Sequence, residues 1–291
     1  MTLIAGYAGL GIMGRPMAAN LKAAGIPLAV FARKAASAQS LVDSGATYHA
    51  TAASLAANCD VLFINVSDTP DVEAVLFGPG GVVEGARPGL VVVDMGTTSP
   101  SATRQFAERL AQQKIDMLDA PVSGGEIGAI QGTLTIMVGG KPAVFEKVKP
   151  LFEAMGKTIT YVGDHGAGQV AKACNQIVVG GTIVAVAEAL LFAEQQGVDG
   201  AKVREALLGG FAQSRILDVH GQRMLDDNFK PGFKAKLHQK DMRIVLEEAL
   251  ASNLALPGAA QVLQYLNALV GSGEGELDSA AMFHILKKMS H

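Results

Sequence analysis

Through the first half of the chain, short apolar runs alternate with stretches whose apolar positions recur at helical spacing. The runs cover Leu3 to Ala8, Leu28 to Phe31, Val61 to Val66, Leu90 to Met95, Ile115 to Leu118, Leu134 to Val138 and Thr158 to Val162. Segments such as Val61-Leu62-Phe63-Ile64 and Leu90-Val91-Val92-Val93 lack the alternation of a half-solvated strand, which predicts a parallel sheet covered by helices on both faces. Strand and helix in turn are the pattern of βαβ units joined by right-handed crossovers.

The texture changes at Gly163-Asp164-His165-Gly166-Ala167-Gly168, after which helical patterns dominate. One runs from Gln169 to Gln196, about 28 residues and roughly 42 Å long at the helical rise. It is apolar nearly all round, so another domain or subunit must cover it. Its most membrane-like part, Ile177 to Ala187, contains Thr182, is flanked by Asn175, Gln176 and Glu188, and falls short of the roughly 18 to 20 apolar residues of a spanning helix. It reads as a buried core helix, not a membrane span. Further helices are predicted at Asp199 to Leu208, Leu237 to Ala251, Gly258 to Leu269 and Ser279 to Lys288. The expected architecture is a doubly wound α/β sheet over residues 1–163, followed by an all-α substrate and oligomerisation domain over 164–291.

Between the first apolar run and the helical stretch Met13 to Ala24 lies Gly9-Leu10-Gly11-Ile12-Met13-Gly14, a GxGxxG in the strand-to-helix context that a dinucleotide pyrophosphate requires. The first glycine permits the turn, the second lets backbone approach the phosphates, and the third lets the helix pack on the sheet. The new helix aims its amides at the anion. This makes the sheet a Rossmann-type domain and points to a nicotinamide or flavin nucleotide, with NAD or NADP the expected cofactor. After the second run, Arg33 stands about where an acidic residue would bind the ribose hydroxyls of NAD, with Lys34 and Ser37 close by. A guanidinium there favours the extra phosphate of NADP, although a solvated arginine at a strand end leaves NAD open.

Composition narrows the classes. With 291 residues, 49% apolar and 18% charged, the chain can bury a substantial core and form two domains. A net charge of -3, without any block of five Lys or Arg, gives no footprint for nucleic acid or anionic membrane. Cys59 and Cys174 lie far apart, and the six histidines show no HxH or HExxH spacing, so no metal site is expected. The N-terminal apolar residues have no cationic region ahead of them and run straight into the glycine turn, so a secretion signal is not expected and a cytoplasmic location is.

Three segments carry candidate chemistry. Asp119-Ala120-Pro121-Val122-Ser123-Gly124-Gly125 leaves consecutive amides unobstructed beside a hydroxyl, a loop able to hold a carboxylate. An ordinary turn accounts for the same residues, and local pattern does not separate the two. Lys172 and Asn175 share one face of the long helix. A lone ammonium in so apolar a helix either snorkels to water or sits where a charged substrate compensates it; burial lowers its pKa and a bound carboxylate raises it. The stretch from Phe229 to Asp241 brings a second basic and acidic pair, Lys240-Asp241, which alone reads as a solvated helix face.

Together with Gly132-Thr133-Leu134, Val138-Gly139-Gly140, Gly166-Ala167-Gly168 and Lys172-Ala173-Cys174-Asn175-Gln176, these motifs resemble, in order and spacing along essentially the whole chain, the β-hydroxyacid dehydrogenase family. The resemblance implies an NAD(P)H-dependent reductase of a short carboxylate-bearing semialdehyde, working reversibly, while the long apolar helix in need of cover points to a homodimer or homotetramer. It implies Lys172 as catalytic acid/base, Asn175 orienting the reacting oxygen, and Ser123, Gly124 and Gly125 on the substrate carboxylate. Thr97 and Lys240 would lie by nicotinamide and substrate, and Val66 would join the glycine turn in contacting the cofactor. The family usually carries Ser at the position of Gly96 and a Leu-Pro or Val-Pro pair at Val66-Ser67. Oxidation of 3-hydroxyisobutyrate and reduction of glyoxylate or succinic semialdehyde remain open within the family. Outside enzymes, the alternative is a dinucleotide sensor without turnover, against which Lys172 and Asn175 argue.

Overall fold

The computed structural model describes residues 3–290. The chain divides into two compact units, meeting at Lys172 and Ala173. The division falls beyond residue 163 because the first turn of the long helix packs tightly on the sheet. A Cβ on Gly168 would lie 2.4 Å from Met137 O and one on Gly139 would lie 2.8 Å from Gly168 N, so only glycines permit that approach.

Among the described residues, the first unit holds nine strands: β1 Ala5–Ala8, β2 Leu28–Phe31, β3 Thr47–His49, β4 Val61–Ile64, β5 Val91–Asp94, β6 Asp116–Asp119, β7 Val122–Ser123, β8 Leu134–Gly140 and β9 Gly156–Gly163. Their order is β3-β2-β1-β4-β5-β6-β8-β7, with β9 paired to β8. The expected parallel sheet holds from β3 to β6, but β8, reached through the short β7 and helix α7 (Gly125–Gln131), runs antiparallel to β6 and β7. Two strands escaped the apolar pattern: β3 is three residues long and largely exposed, and β7 has only two residues.

The helices of this unit are α1 Gly14–Ala23, α2 Gln39–Asp43, α3 Ala52–Ala56, α4 Thr69–Phe77, α5 Val82–Gly85, α6 Pro100–Ala111, α7 Gly125–Gln131 and α8 Pro142–Glu153. They cover both faces of the sheet. In one core Tyr7 stacks on Phe63, with centroids 5.8 Å apart, and Phe152 meets Phe63 edge-on at 6.2 Å, together with Met17 and Leu21 of α1. Leu62, Ile64 and Val92 point the other way, into a core with Leu55, Leu76, Phe106 and Leu110. Successive residues of β4 therefore serve opposite cores, which is why its run is apolar without alternation.

Helix α9, Ala167–Gln195, leads into the second unit, which continues with α10 Gly200–Leu208, α11 Arg215–Leu225, α12 Ala235–Ala251, α13 Pro257–Gly271 and α14 Met282–Met289. Helix α9 runs on past the predicted apolar core to 29 residues, and its most apolar 18-residue stretch has a mean hydropathy of 1.9, so by length and composition it could cross a membrane. Half of its most apolar stretch is nevertheless buried within this chain: Ile183, Ala187 and Leu190 share a core with Met242, Leu266 and Phe283. Helix α11, outside the predicted helices, has a narrow inward stripe that includes a glycine, while Asp218 and Gln222 lie on its exposed face. It forms because Ser214 caps it, accepting from Leu217 N at 3.0 Å, while Leu217, Gly221 and Met224 are buried.

Asp278 knots the second unit. Its fully buried carboxylate accepts from the amides of Gly232 at 2.8 Å and Phe233 and Ala280 at 3.1 Å, and pairs with Arg223 at 2.8 Å and His220 at 3.3 Å. Burial alone would raise its pKa, but His220 and the surrounding donors bring it down to about 2. A carboxylate whose folded pKa lies below its unfolded one stabilises above the unfolded value, and that stabilisation is lost as pH falls from about 4 to about 2. Asp278→Asn should therefore lower unfolding free energy at pH 7 by about 2 kcal/mol or more and flatten the acid limb. Urea titrations at pH 7, 4 and 2.5 check this, and an unchanged acid limb in the variant refutes it.

Candidate active site

Strand register collects the first unit's candidate residues at one edge of the sheet. Phe31, Ala8, Ile64, Asp94 and Asp119 stand level at the carboxyl ends of parallel neighbours β2, β1, β4, β5 and β6. The loops that follow carry Arg33, the glycine turn, Val66, Thr97 and the segment leading to Ser123. The chain steps outward from β1 to β2 on one side and from β4 to β5 on the other. The edge between β1 and β4 is thus a topological switch point, where open α/β sheets bind ligands.

Each glycine of the turn has its own reason. Gly9 has φ +99°, and a Cβ there would sit 2.2 Å from Asn65 O; at Gly14 it would sit 2.0 Å from Gly9 O. At Gly11 an added Cβ would meet nothing within 4 Å. Folding does not ask for glycine at that position, so a ligand that must approach the backbone closely accounts for it. Leu10 is buried in the core, Ile12 is exposed, and Met13 precedes α1, whose N-terminus has no side-chain cap and no acidic residue in its first turn. These residues fit a dinucleotide pyrophosphate. Arg33 is exposed just past β2, Val66 is half-buried past β4, and Thr97 is half-buried past β5.

Two buried carboxylates and one buried amide fasten these loops to α9. Asp94 accepts from Gly96 N at 2.9 Å and from the Thr98 hydroxyl at 2.6 Å. Gln169 accepts from Thr98 N at 3.0 Å and donates to Gly96 O at 2.9 Å. Asp119, at the root of the 119–125 segment, accepts from Gly166 N at 2.8 Å and Gln169 N at 2.9 Å, capping α9; burial still pushes its carboxyl upward. Beyond it, Gly124 and Gly125 hold φ of +138° and +63°, conformations that side chains rarely adopt. Lys172 lies one turn after Gln169 and is only 8% exposed. The structure thereby brings Thr97, the 119–125 segment and the Lys172 helix into one bonded framework.

In the second unit a separate polar chain runs through buried residues. Asn175 donates to Gln176 at 2.7 Å, Gln176 donates to Asp241 at 2.6 Å, and the other Asp241 oxygen pairs with Lys240 at 2.8 Å. Lys240 and Asp241 are therefore not a solvated helix face: their side chains are 13% and 2% exposed. Sequence reasoning assigned no role to Asp94, Asp119, Gln169, Gln176 or Asp241. Their signal was present as charged or amide residues inside otherwise apolar strands and helices, which must find partners when buried.

Comparison with known proteins agrees with this geometry. Residues 5–163 match the family described as the NAD binding domain of 6-phosphogluconate dehydrogenase, and residues 166–286 match NAD-binding of NADP-dependent 3-hydroxyisobutyrate dehydrogenase. The chain is 50% identical, over 98% of both chains, to 2-hydroxy-3-oxopropionate reductase of Escherichia coli K12. Among solved structures it resembles 3-hydroxyisobutyrate dehydrogenase of Mycobacterium tuberculosis, at 29% identity and TM-score 0.90 over 98% of this chain and 99% of that one. A 3-hydroxyisobutyrate dehydrogenase from Salmonella typhimurium, also 29% identical, gives TM-score 0.86 over 97% and 99%. The glycine turn at the switch point, the framework around Lys172 and these matches along nearly the whole length agree: the chain belongs to the β-hydroxyacid dehydrogenase (3-hydroxyisobutyrate dehydrogenase-like) family of NAD(P)-dependent oxidoreductases.

Proposed function

We propose that this protein reduces tartronate semialdehyde (2-hydroxy-3-oxopropanoate) to D-glycerate, reversibly and preferentially with NADPH. The observation that carries the reading is a buried lysine, Lys172, on a helix bonded to both the Thr97 loop and the root of the Ser123-Gly124-Gly125 segment. The 50% identity to a reductase of that substrate supports it. A bound reduced nicotinamide supplies the hydride. The Ser123 hydroxyl and the amides of Gly124 and Gly125 hold the substrate carboxylate, selecting acids over simple aldehydes. The Lys172 ammonium gives its proton to the aldehyde oxygen as the carbon becomes an alcohol, and the resulting amine is reprotonated from solvent. Asn175 orients the reacting oxygen, its amide fixed in turn by Gln176 and Asp241, and Lys240 is a further candidate for substrate and cofactor.

The test is steady-state NADPH and NADH oxidation with tartronate semialdehyde, glyoxylate and succinic semialdehyde, alongside oxidation of 3-hydroxyisobutyrate. The highest kcat/KM is expected for tartronate semialdehyde. Nucleotide binding without turnover of any of them would instead support a sensor. Arg33→Ala should lower kcat/KM for NADPH about tenfold and leave that for NADH within about threefold, the loss of one charge-assisted contact to the extra phosphate. Equal losses with both nucleotides would remove Arg33 from that role. Exposed Val178 and Phe192 on α9 support a homodimer or homotetramer, and free Cys59 and Cys174 fit a reducing cytoplasm.

A further inference from the structure

Gln169 stands in the first turn of α9 and is 1% exposed. Its amide grips both sides of Thr97 in opposite senses, accepting from Thr98 N at 3.0 Å and donating to Gly96 O at 2.9 Å. The same nitrogen lies 3.4 Å from Asp94 Oδ2, and that carboxylate holds Gly96 N and the Thr98 hydroxyl. Meanwhile the Gln169 backbone amide donates to Asp119 at 2.9 Å. One residue thus ties the Thr97 loop by its side chain and the root of the carboxylate-binding segment by its main chain. It does so one helical turn from Lys172. Because its oxygen and nitrogen are committed to different partners, the amide has a single satisfied orientation. That fixes the height of the loop on the helix.

We propose that Gln169 is a positioning residue for the reaction: it sets Thr97, and the nicotinamide face that Thr97 borders, relative to the Lys172 helix. The inference rests on the reading of Thr97 and Lys172 given above. Gln169 acts through them, as geometry errors of about 1 Å at a reacting centre cost about a hundredfold in rate.

Two variants test it. Gln169→Met keeps the side-chain length and removes both bonds. Gln169→Glu keeps the acceptor and regains a donor only when protonated. For Gln169→Met, kcat is expected to fall about 30-fold, with KM and the NADPH dissociation constant within about threefold. The deuterium isotope effect with NADPH labelled at C4 should rise, and the fluorescence of bound NADPH should change. For Gln169→Glu, activity relative to the parent protein should recover toward pH 5, while that of Gln169→Met stays flat. A merely structural role would lower the thermal midpoint but leave the isotope effect and the bound-NADPH emission unchanged. Variants with parental emission and kcat within about twofold of the parent would overturn the proposal. If Gln169→Met does not fold, the acid recovery of Gln169→Glu decides. If the parent reduces none of the semialdehydes, the functional reading fails instead, and NADPH emission, which needs no substrate, still decides the role of Gln169.

Discussion

Replacing Lys172 with alanine is expected to lower kcat about a thousandfold while leaving NADPH affinity within about threefold, as a positioned general acid contributes about 10² to 10⁴ in rate. The residue sits on α9, whereas the pyrophosphate is expected on the glycine turn after β1, so binding and chemistry separate cleanly. Lys172→Met should fail equally while filling the buried volume, which shows that the loss is not a collapsed cavity. Arginine should not rescue either, since a guanidinium does not give up its proton near neutral pH. Absorbance at 340 nm under saturating NADPH and tartronate semialdehyde reads the outcome. Turnover near the parental rate would place the proton donor elsewhere.

The parts of this protein that sequence made legible are those set by local rules. The glycine turn, the apolar strands β1, β2, β4 and β5, and the long helix each declare themselves within a window of a few residues. Where a fold depends on distant partners, the signal weakens. Strand β3 is exposed and three residues long, and the inward stripe of α11 is narrow, with a glycine at its centre. The reversal at β8 lies in its antiparallel pairing with β6 and β7, strands that helix α7 separates from it along the chain, and no periodicity records it. The site behaves likewise. Lys172, Thr97 and Ser123 could be named through motifs, but the residues that hold them could not. Gln169 meets Asp94 across 75 positions, and Gln176 meets Asp241 across 65. A buried Asp or Gln in an apolar run announces that it needs a partner, without saying which.

Gly11→Ala is expected to weaken NADPH binding about a hundredfold without lowering the thermal midpoint, a combination that no other glycine of the turn allows, since one or two lost charge-assisted bonds account for about that factor. At Gly9 the backbone conformation and Asn65 O exclude a side chain, and at Gly14 the carbonyl of Gly9 excludes it. Alanine at either place disturbs strand, turn and helix together, so a loss of binding there says little about the ligand. Gly11 differs, because its negative-φ backbone and the empty space beside it accept a methyl group. The unfolded chain even loses some freedom, which tends to stabilise. Any loss of affinity must then come from a methyl standing where the phosphates approach. Calorimetric titration with NADPH, beside a thermal melt of the free protein, measures both quantities. Parental affinity in Gly11→Ala would mean that no pyrophosphate closely approaches this turn, and the cofactor would have to be sought at another edge of the sheet.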